Sequence, residues 1–223
     1  MSQEPLLKAV NLSKTFNVSF KKNRQLFEGL NFSASQGEFI CLTGKSGEGK
    51  TTLLKILAGI LPPSQGQVFF QGKALGWFKN FYRKNSSFIF QDYKLIPHLN
   101  IFENVSLPLR IRNCMDWSKR TRDALEFCQI SHLTKRYPYQ VSGGESQRAS
   151  IARALSIQPK IIFADEPTGN LDSETEGDIL KVFKHIHKTF NITFIVVTHE
   201  PNIIAISDRH YRLSGGTLLE MDQ

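Results

Sequence analysis

The run GKSGEGKT at residues 44–51 constrains this chain more than any other stretch. It satisfies G-x-x-x-x-G-K-[ST], and it joins a short β-rich run, EFICLT, to a stretch of helical periodicity, TTLLKILAGIL, that stops before Pro62 and Pro63. A phosphate-cradling loop requires that strand–loop–helix setting. Glycines let backbone N–H groups come close to α- and β-phosphates. The candidate anion site is therefore Gly44, Lys45, Ser46, Gly47, Glu48, Gly49, Lys50, Thr51 and Thr52. Lys50 can reach the β- and γ-phosphates, and the Thr51 hydroxyl can ligate Mg²⁺. The competing reading, a glycine-rich turn that only caps a helix, is disfavoured by the same setting.

Around this loop the chain alternates strand and helix patterns. Strands are predicted at LLKAVNL, LNFSAS, EFICLT, GQVFFQG, SSFIFQ, KIIFA and ITFIVVT. From about 92 to 157 the pattern turns helical, with TRDALEFCQI as one helix and ESQRASIARALSI as another, and a further helix is predicted over about 174–189. Such alternation implies a parallel α/β sheet, with the helical stretch between Gln91 and Lys160 as an inserted subdomain.

Two more strand ends carry chemistry. IIFADEP places Asp165 and Glu166 where an apolar strand finishes, the end at which parallel sheets bind ligands. Asp165 can hold a Mg²⁺-bound water, and Glu166 can act as general base on an attacking water. An acidic pair there can also be a plain helix start; the phosphate loop favours the functional reading. Gln91 ends SSFIF and is either inert surface or a neutral oxygen donor that completes a Mg²⁺ shell. His199 follows ITFIVVT and can hydrogen-bond a γ-phosphate. His185 and His187 read as surface, because two residues apart on a helix they point to different faces.

A second candidate anion site lies about a hundred residues after the first, in VSGGESQR. Ser142 and Glu145 have the spacing of a capping box, so SGGE is either a well-made helix start or a turn that holds an anion. Two adjacent glycines, Gly143 and Gly144, cost helix stability and favour the second reading.

Composition narrows the rest. A net charge of +8 gathers around Lys21, Lys22 and Arg24, around Lys79, Arg83 and Lys84, and from Arg110 through Arg122. These are solvated faces or a surface for anionic lipid headgroups. No nucleic-acid motif accompanies them, so no nucleic acid partner is expected. No apolar run is long enough to span a bilayer, the N-terminus lacks a secretion pattern, and Cys41, Cys114 and Cys128 lack metal or disulfide spacing. A reduced, cytoplasmic compartment is expected. The cluster GWFKNFYRK (76–84) and the stretch around Tyr93, Leu95 and Ile96 are either core aromatics and aliphatics or an apolar groove for a membrane partner.

GKSGEGKT, the glutamine of FIFQDY, VSGGESQR, IIFADEPTGNLD and the histidine of VVTHE occur in the order and rough spacing found in ATP-binding subunits of ABC transporters. The chain resembles that family over nearly its whole length. The resemblance implies an α/β fold, a P-loop NTPase domain of the ABC type with a β-rich N-terminal part and an inserted helical subdomain. One domain over 1–223 is implied, with about 1–91 and 158–223 as nucleotide-binding core and about 92–157 as the helical part. ATP and Mg²⁺ are the implied ligands, with Thr51, Gln91 and Asp165 at the metal and Glu166, His199 and Lys50 in hydrolysis.

The resemblance further implies a head-to-tail homodimer. In it Ser142, Gly143 and Gly144 bind the γ-phosphate of the partner's ATP, with Glu145 beside them in the nucleotide site, which accounts for the second anion site. Asp172 then communicates across the dimer, and Phe16 stacks on adenine, with a plain core phenylalanine as the alternative. Integral membrane permease subunits and a peripheral place at the cytoplasmic face of the inner membrane are implied too. Two residues depart from the family's habit. Glu48 replaces a small residue, tolerable if it points outward, and Phe16 replaces the commoner tyrosine. DEPTGNLDSETEG and ENVSLPL resemble the branch that serves lipoprotein release, macrolide export and cell division, and lipoprotein release is the favoured reading. The exporter ATPase is fused to its membrane part, whereas this sequence ends soon after His199. A soluble ABC protein of DNA repair or translation would be expected to add coiled coils or a second ATPase domain.

Overall fold

The three strands with the least interrupted apolar runs lie at the middle of the molecule, because only a strand covered on both faces can be apolar at every position. The computed structural model describes residues 4–19, 22–76 and 80–221. Its strands are β1 (Leu7–Ser19), β2 (Lys22–Ala34), β3 (Phe39–Thr43), β4 (Gln65–Phe70), β5 (Lys73–Ala74), β6 (Ser86–Ile89), β7 (Ile161–Asp165), β8 (Thr193–Val197), β9 (Arg209–Ser214) and β10 (Thr217–Met221). Its helices are α1 (Lys50–Leu57), α2 (Asn80–Asn85), α3 (Ile101–Ile111), α4 (Trp117–Phe127), α5 (Gly143–Ser156), α6 (Ser173–Phe190) and α7 (Pro201–Ile204).

β3, β7 and β8 belong to a six-stranded sheet in the order β10-β9-β3-β8-β7-β6, parallel except for β10 at the edge. Alternate residues of each strand enter different cores. Phe39, Cys41, Ile162, Ala164, Phe194 and Val196 face the side that carries α3, α4, α5 and α6. Ile40, Leu42, Ile161, Phe163, Ile195 and Val197 face α1 and the second sheet, which is antiparallel in the order β2-β1-β4-β5. The run read as GQVFFQG therefore pairs in this antiparallel sheet and not in the parallel one.

Several boundaries differ from the sequence expectation for physical reasons. α1 stops well before Pro62, because Gly59 takes φ 66° and lets Ile60 N–H donate to Lys55 O at 2.8 Å and Gly59 N–H to Ile56 O at 3.0 Å. That 6→1 and 5→2 pair closes the helix. α3 forms despite Pro108 in its interior, and Asn100 and Glu103 cap its start reciprocally at 2.8 and 2.9 Å. The C-terminal hairpin β9–β10 extends the main sheet and has no counterpart in the expected strands.

His187 is not a free surface group. Its ring packs edge-on against Phe39, and Nδ1 lies 3.2 Å from Ile192 O. Tyr82, from the cluster considered as a docking groove, is core: its ring meets Phe70 and its hydroxyl donates to Leu57 O at 2.5 Å. Residues 77–79 of that cluster lie outside the described residues. Leu95 packs on the core, whereas Ile96 is exposed.

Candidate active site

Four adjacent parallel strands, β3, β8, β7 and β6, end on one edge of the sheet. The loops that leave them carry, in that order, Gly44, His199, Glu166 and Gln91. The sheet thus brings together motifs separated by up to about 150 residues in sequence.

At the end of β3 the chain folds tightly. Gly44 sits at φ 149°, and a Cβ there would lie 2.4 Å from Leu213 O. Gly49, at φ 99°, is the N-cap of α1. Lys50 is buried and its Nζ donates to Gly44 O at 2.7 Å and to Lys45 O at 3.1 Å, so the cation lies inside the loop. Glu48 turns its carboxylate back on the loop, where Oε2 accepts from Lys45 N–H at 2.7 Å. It lines a neighbouring hollow with Gly215 and Gly216 and does not line the cleft in front of the loop.

That cleft, of about 440 Å³, is lined by Phe16, Arg24, Leu26, Glu166 and the loop residues Ser46, Gly47, Gly49, Lys50, Thr51 and Thr52. Phe16 is 38% exposed, which removes the plain-core reading of this ring. Lys14 Nζ lies 4.9 Å from the ring centroid. Arg24 Nη2 donates to Gly47 O at 2.9 Å and pins the loop to β2. No motif pointed to Arg24, whose partner is 23 residues away. A second cleft of about 460 Å³, between β4 and the end of α1, holds none of the motif residues.

Asp165 ends β7 and accepts from the Thr51 hydroxyl at 2.8 Å. Burial pushes its carboxyl above the ordinary range, a shift that the Thr51 hydrogen bond and the Lys55 charge only partly oppose. Glu166 takes φ 44°, a left-handed conformation that costs a side-chain-bearing residue about 1–3 kcal/mol and clusters at functional sites. Its Oε2 accepts from Gln91 Nε2 at 3.1 Å, and its Oε1 lies 3.9 Å from His199 Nε2. Gln91, Glu166 and His199 therefore form one group, with the Gln91 amide oxygen directed away from that bond.

Ser142 caps α5: its Oγ accepts from Glu145 N–H at 3.3 Å, and Glu145 Oε2 accepts from Ser142 N–H at 2.7 Å. One of the glycines has a packing reason that the sequence did not disclose. A Cβ on Gly144 would lie 2.3 Å from Thr175 Cγ2, so the starts of α5 and α6 approach as closely as they do only because Gly144 has no side chain. A Cβ on Gly143 would meet Tyr93 Oη at 3.2 Å. Ser142 and Gly143 are exposed, and none of Ser142, Gly143, Gly144 and Glu145 lines the cleft of their own chain. Asp172 is the N-cap of α6 and accepts from Thr175 N–H at 3.0 Å and from its hydroxyl at 2.8 Å, which lowers its pKa.

Comparison with known proteins identifies the family and the fold. The ABC transporter family profile matches residues 27–169. The lipoprotein-releasing system ATP-binding protein LolD of Cytophaga hutchinsonii is 37% identical, over 97% of this chain and 100% of its own. The cell division ATP-binding protein FtsE of Escherichia coli K12 is 39% identical, over 85% of this chain and 87% of its own. Among solved structures, the dimeric ATP-binding cassette MJ0796, in a post-hydrolysis state bound to ADP and Pi, superposes with a TM-score of 0.86 at 30% identity. It covers 97% of this chain and 99% of its own. With its antiparallel N-terminal sheet, its helical subdomain and its phosphate loop on the central strand, the chain belongs to the ABC transporter family, as an ATP-binding subunit with ATPase activity.

Proposed function

We propose that two copies of this chain hydrolyse ATP at composite sites and drive permease subunits in the membrane, in a transporter that releases lipoproteins. The observation that carries the chemistry is the placement of Glu166, between Gln91 and His199 and beside the phosphate loop. Phe16 offers a face to adenine, and the loop amides with Lys50 bind the phosphates. A water oxygen attacks the γ-phosphorus in line as the bond to the β–γ bridging oxygen breaks. The water's proton passes to Glu166, and ADP and phosphate result. Gln91 Nε2 and His199 hold the Glu166 carboxylate in position for that transfer.

Thr51, Asp165 and Gln91 fit a hard divalent cation. They supply a hydroxyl, a carboxylate and an amide oxygen, and the first two already lie 2.8 Å apart. Mg²⁺ held there would supply charge neutralisation to the triphosphate. The Ser142 turn would bind a second chain's γ-phosphate; its exposure at the start of α5 and the solved structures of similar cassettes as dimers support this.

Lipoprotein release is supported by the full-length match to LolD, and a cell-division role by the match to FtsE. Identification of the membrane proteins that co-purify with the chain separates the two. Glu166→Gln tests the chemistry: it is expected to bind Mg-ATP and to lower turnover about 10²- to 10⁴-fold. Near-normal turnover would remove Glu166 from the mechanism.

A further inference from the structure

Gln147 lies on α5, five residues after Ser142, and its side chain is fully buried. Its Nε2 donates to the carbonyl of Pro167, the residue that follows Glu166, at 2.5 Å. A carbonyl only accepts, so the amide nitrogen must face it. That orientation leaves Gln147 Oε1 buried without a hydrogen-bond partner among the described residues, and the buried hydroxyl of Thr168 next to Pro167 is unpaired as well. Two orphaned polar atoms beside a single bond are costly in a protein interior and need a reason.

The reason lies in the neighbouring turn. Glu166 holds its left-handed conformation while its own N–H donates to Val197 O at 2.8 Å and its carbonyl accepts from Gly169 N–H at 3.2 Å. Those restraints come from β8 and from the turn itself. Gln147 adds a restraint from α5, the helix whose first residues carry the Ser142 turn.

We propose that Gln147 is a positioning residue: through the Pro167 carbonyl it holds Glu166 between Gln91 and His199 and ties that placement to α5. The inference rests on the reading of Glu166 as the base. Its consequence is mechanical. A displacement of α5, brought about by whatever binds at Ser142, reaches the base of the same chain through one buried hydrogen bond.

The test is a double-mutant cycle. Gln147→Met keeps the length and volume of the side chain and removes the donor. It is expected to lower kcat about 10- to 100-fold, the scale of a small misplacement of a reacting group, and to leave KM for ATP unchanged. In the Glu166→Gln background the same substitution is expected to have no further effect, since the group it positions is gone. A wild-type kcat for Gln147→Met would overturn the proposal. So would an equal fold-loss in both backgrounds, which would place its action elsewhere. Near-normal turnover of Glu166→Gln alone is a separate result: it defeats the assignment of the base, and with it the positioning role. If thermal unfolding shows that Gln147→Met does not fold, Gln147→Leu is read in the same way, since it is of similar size, apolar and without a donor.

Discussion

The role proposed for Asp165 in the site is opposed by what its burial does to the fold. It is buried at the end of β7, with one hydroxyl as its hydrogen-bond partner, and burial raises its pKa above the usual 3.8. A carboxyl with a raised folded-state pKa contributes stability that is fully present below the unfolded value and is lost as pH rises through the folded one. Ionised Asp165 is therefore expected to weaken the nucleotide-free protein at neutral pH. Asp165→Asn, which can still accept from Thr51, is expected to raise the melting temperature at pH 7. That advantage should shrink as pH falls to about the ordinary carboxylate value. The same substitution is expected to weaken Mg²⁺ binding about 10- to 100-fold. Thermal unfolding across pH and Mg²⁺-dependent turnover check the two halves. A variant less stable than wild type at pH 7 would show that the ionised carboxylate supports the fold. Lys50 makes the complementary point: its buried charge is held by two carbonyls of its own loop, so loop shape and cation placement are one feature.

At the scale of elements, the contact between α5 and α6 separates what the sequence disclosed from what it concealed. In a helix an alanine is better than a glycine by about 0.5–1 kcal/mol, so propensity alone predicts that Gly144→Ala stabilises the protein. The clash with Thr175 Cγ2 predicts the opposite, a loss of about 1–3 kcal/mol by overpacking. The larger effect wins. Adding Thr175→Ser, which removes that methyl and keeps the hydroxyl that Asp172 accepts, is expected to recover most of the loss in denaturant unfolding. A stabilised Gly144→Ala single variant would show that the helices part without cost. The phosphate loop, the strand ends and the cap at Ser142 were legible because each is written in a few consecutive residues. Thr175 against Gly144, Arg24 on Gly47 and Gln147 on Pro167 were not, since each joins residues 20 or more apart whose meeting depends on the packed fold. α3 lies within the stretch read as helical but was not legible as a helix of its own, for a related reason: buried Asn104 and Ser106 interrupt its apolar face. Asn104 is occupied in holding the preceding loop, bonding Ile96 N–H and the carbonyls of Ile96, Leu99 and Asn100 at 2.7 to 3.1 Å.

At the scale of the molecule, the parallel sheet gathers Gly44, Gln91, Glu166 and His199 on one edge, while the Ser142 turn lies exposed outside the cleft that Glu166 lines with the loop residues. Within one chain the candidate phosphate loop and the candidate second anion site therefore stand apart, and the second does not line the cleft of the first. The central claim is that two chains complete each other, and it is tested most directly by mixing two inactive variants. Lys50→Ala loses the phosphate contact. Gly143→Asp places a carboxylate at the exposed start of α5, against the γ-phosphate of the other chain. Each alone is expected to abolish hydrolysis. Random pairing makes about half of the dimers mixed, and each mixed dimer has one site with both defects and one with neither. The mixture is therefore expected to regain up to about a quarter of wild-type ATPase activity, and to form dimers when ATP is added. Absence of recovered activity together with absence of ATP-dependent dimers would contradict the account, and SGGE would then be a helix cap that serves only its own chain.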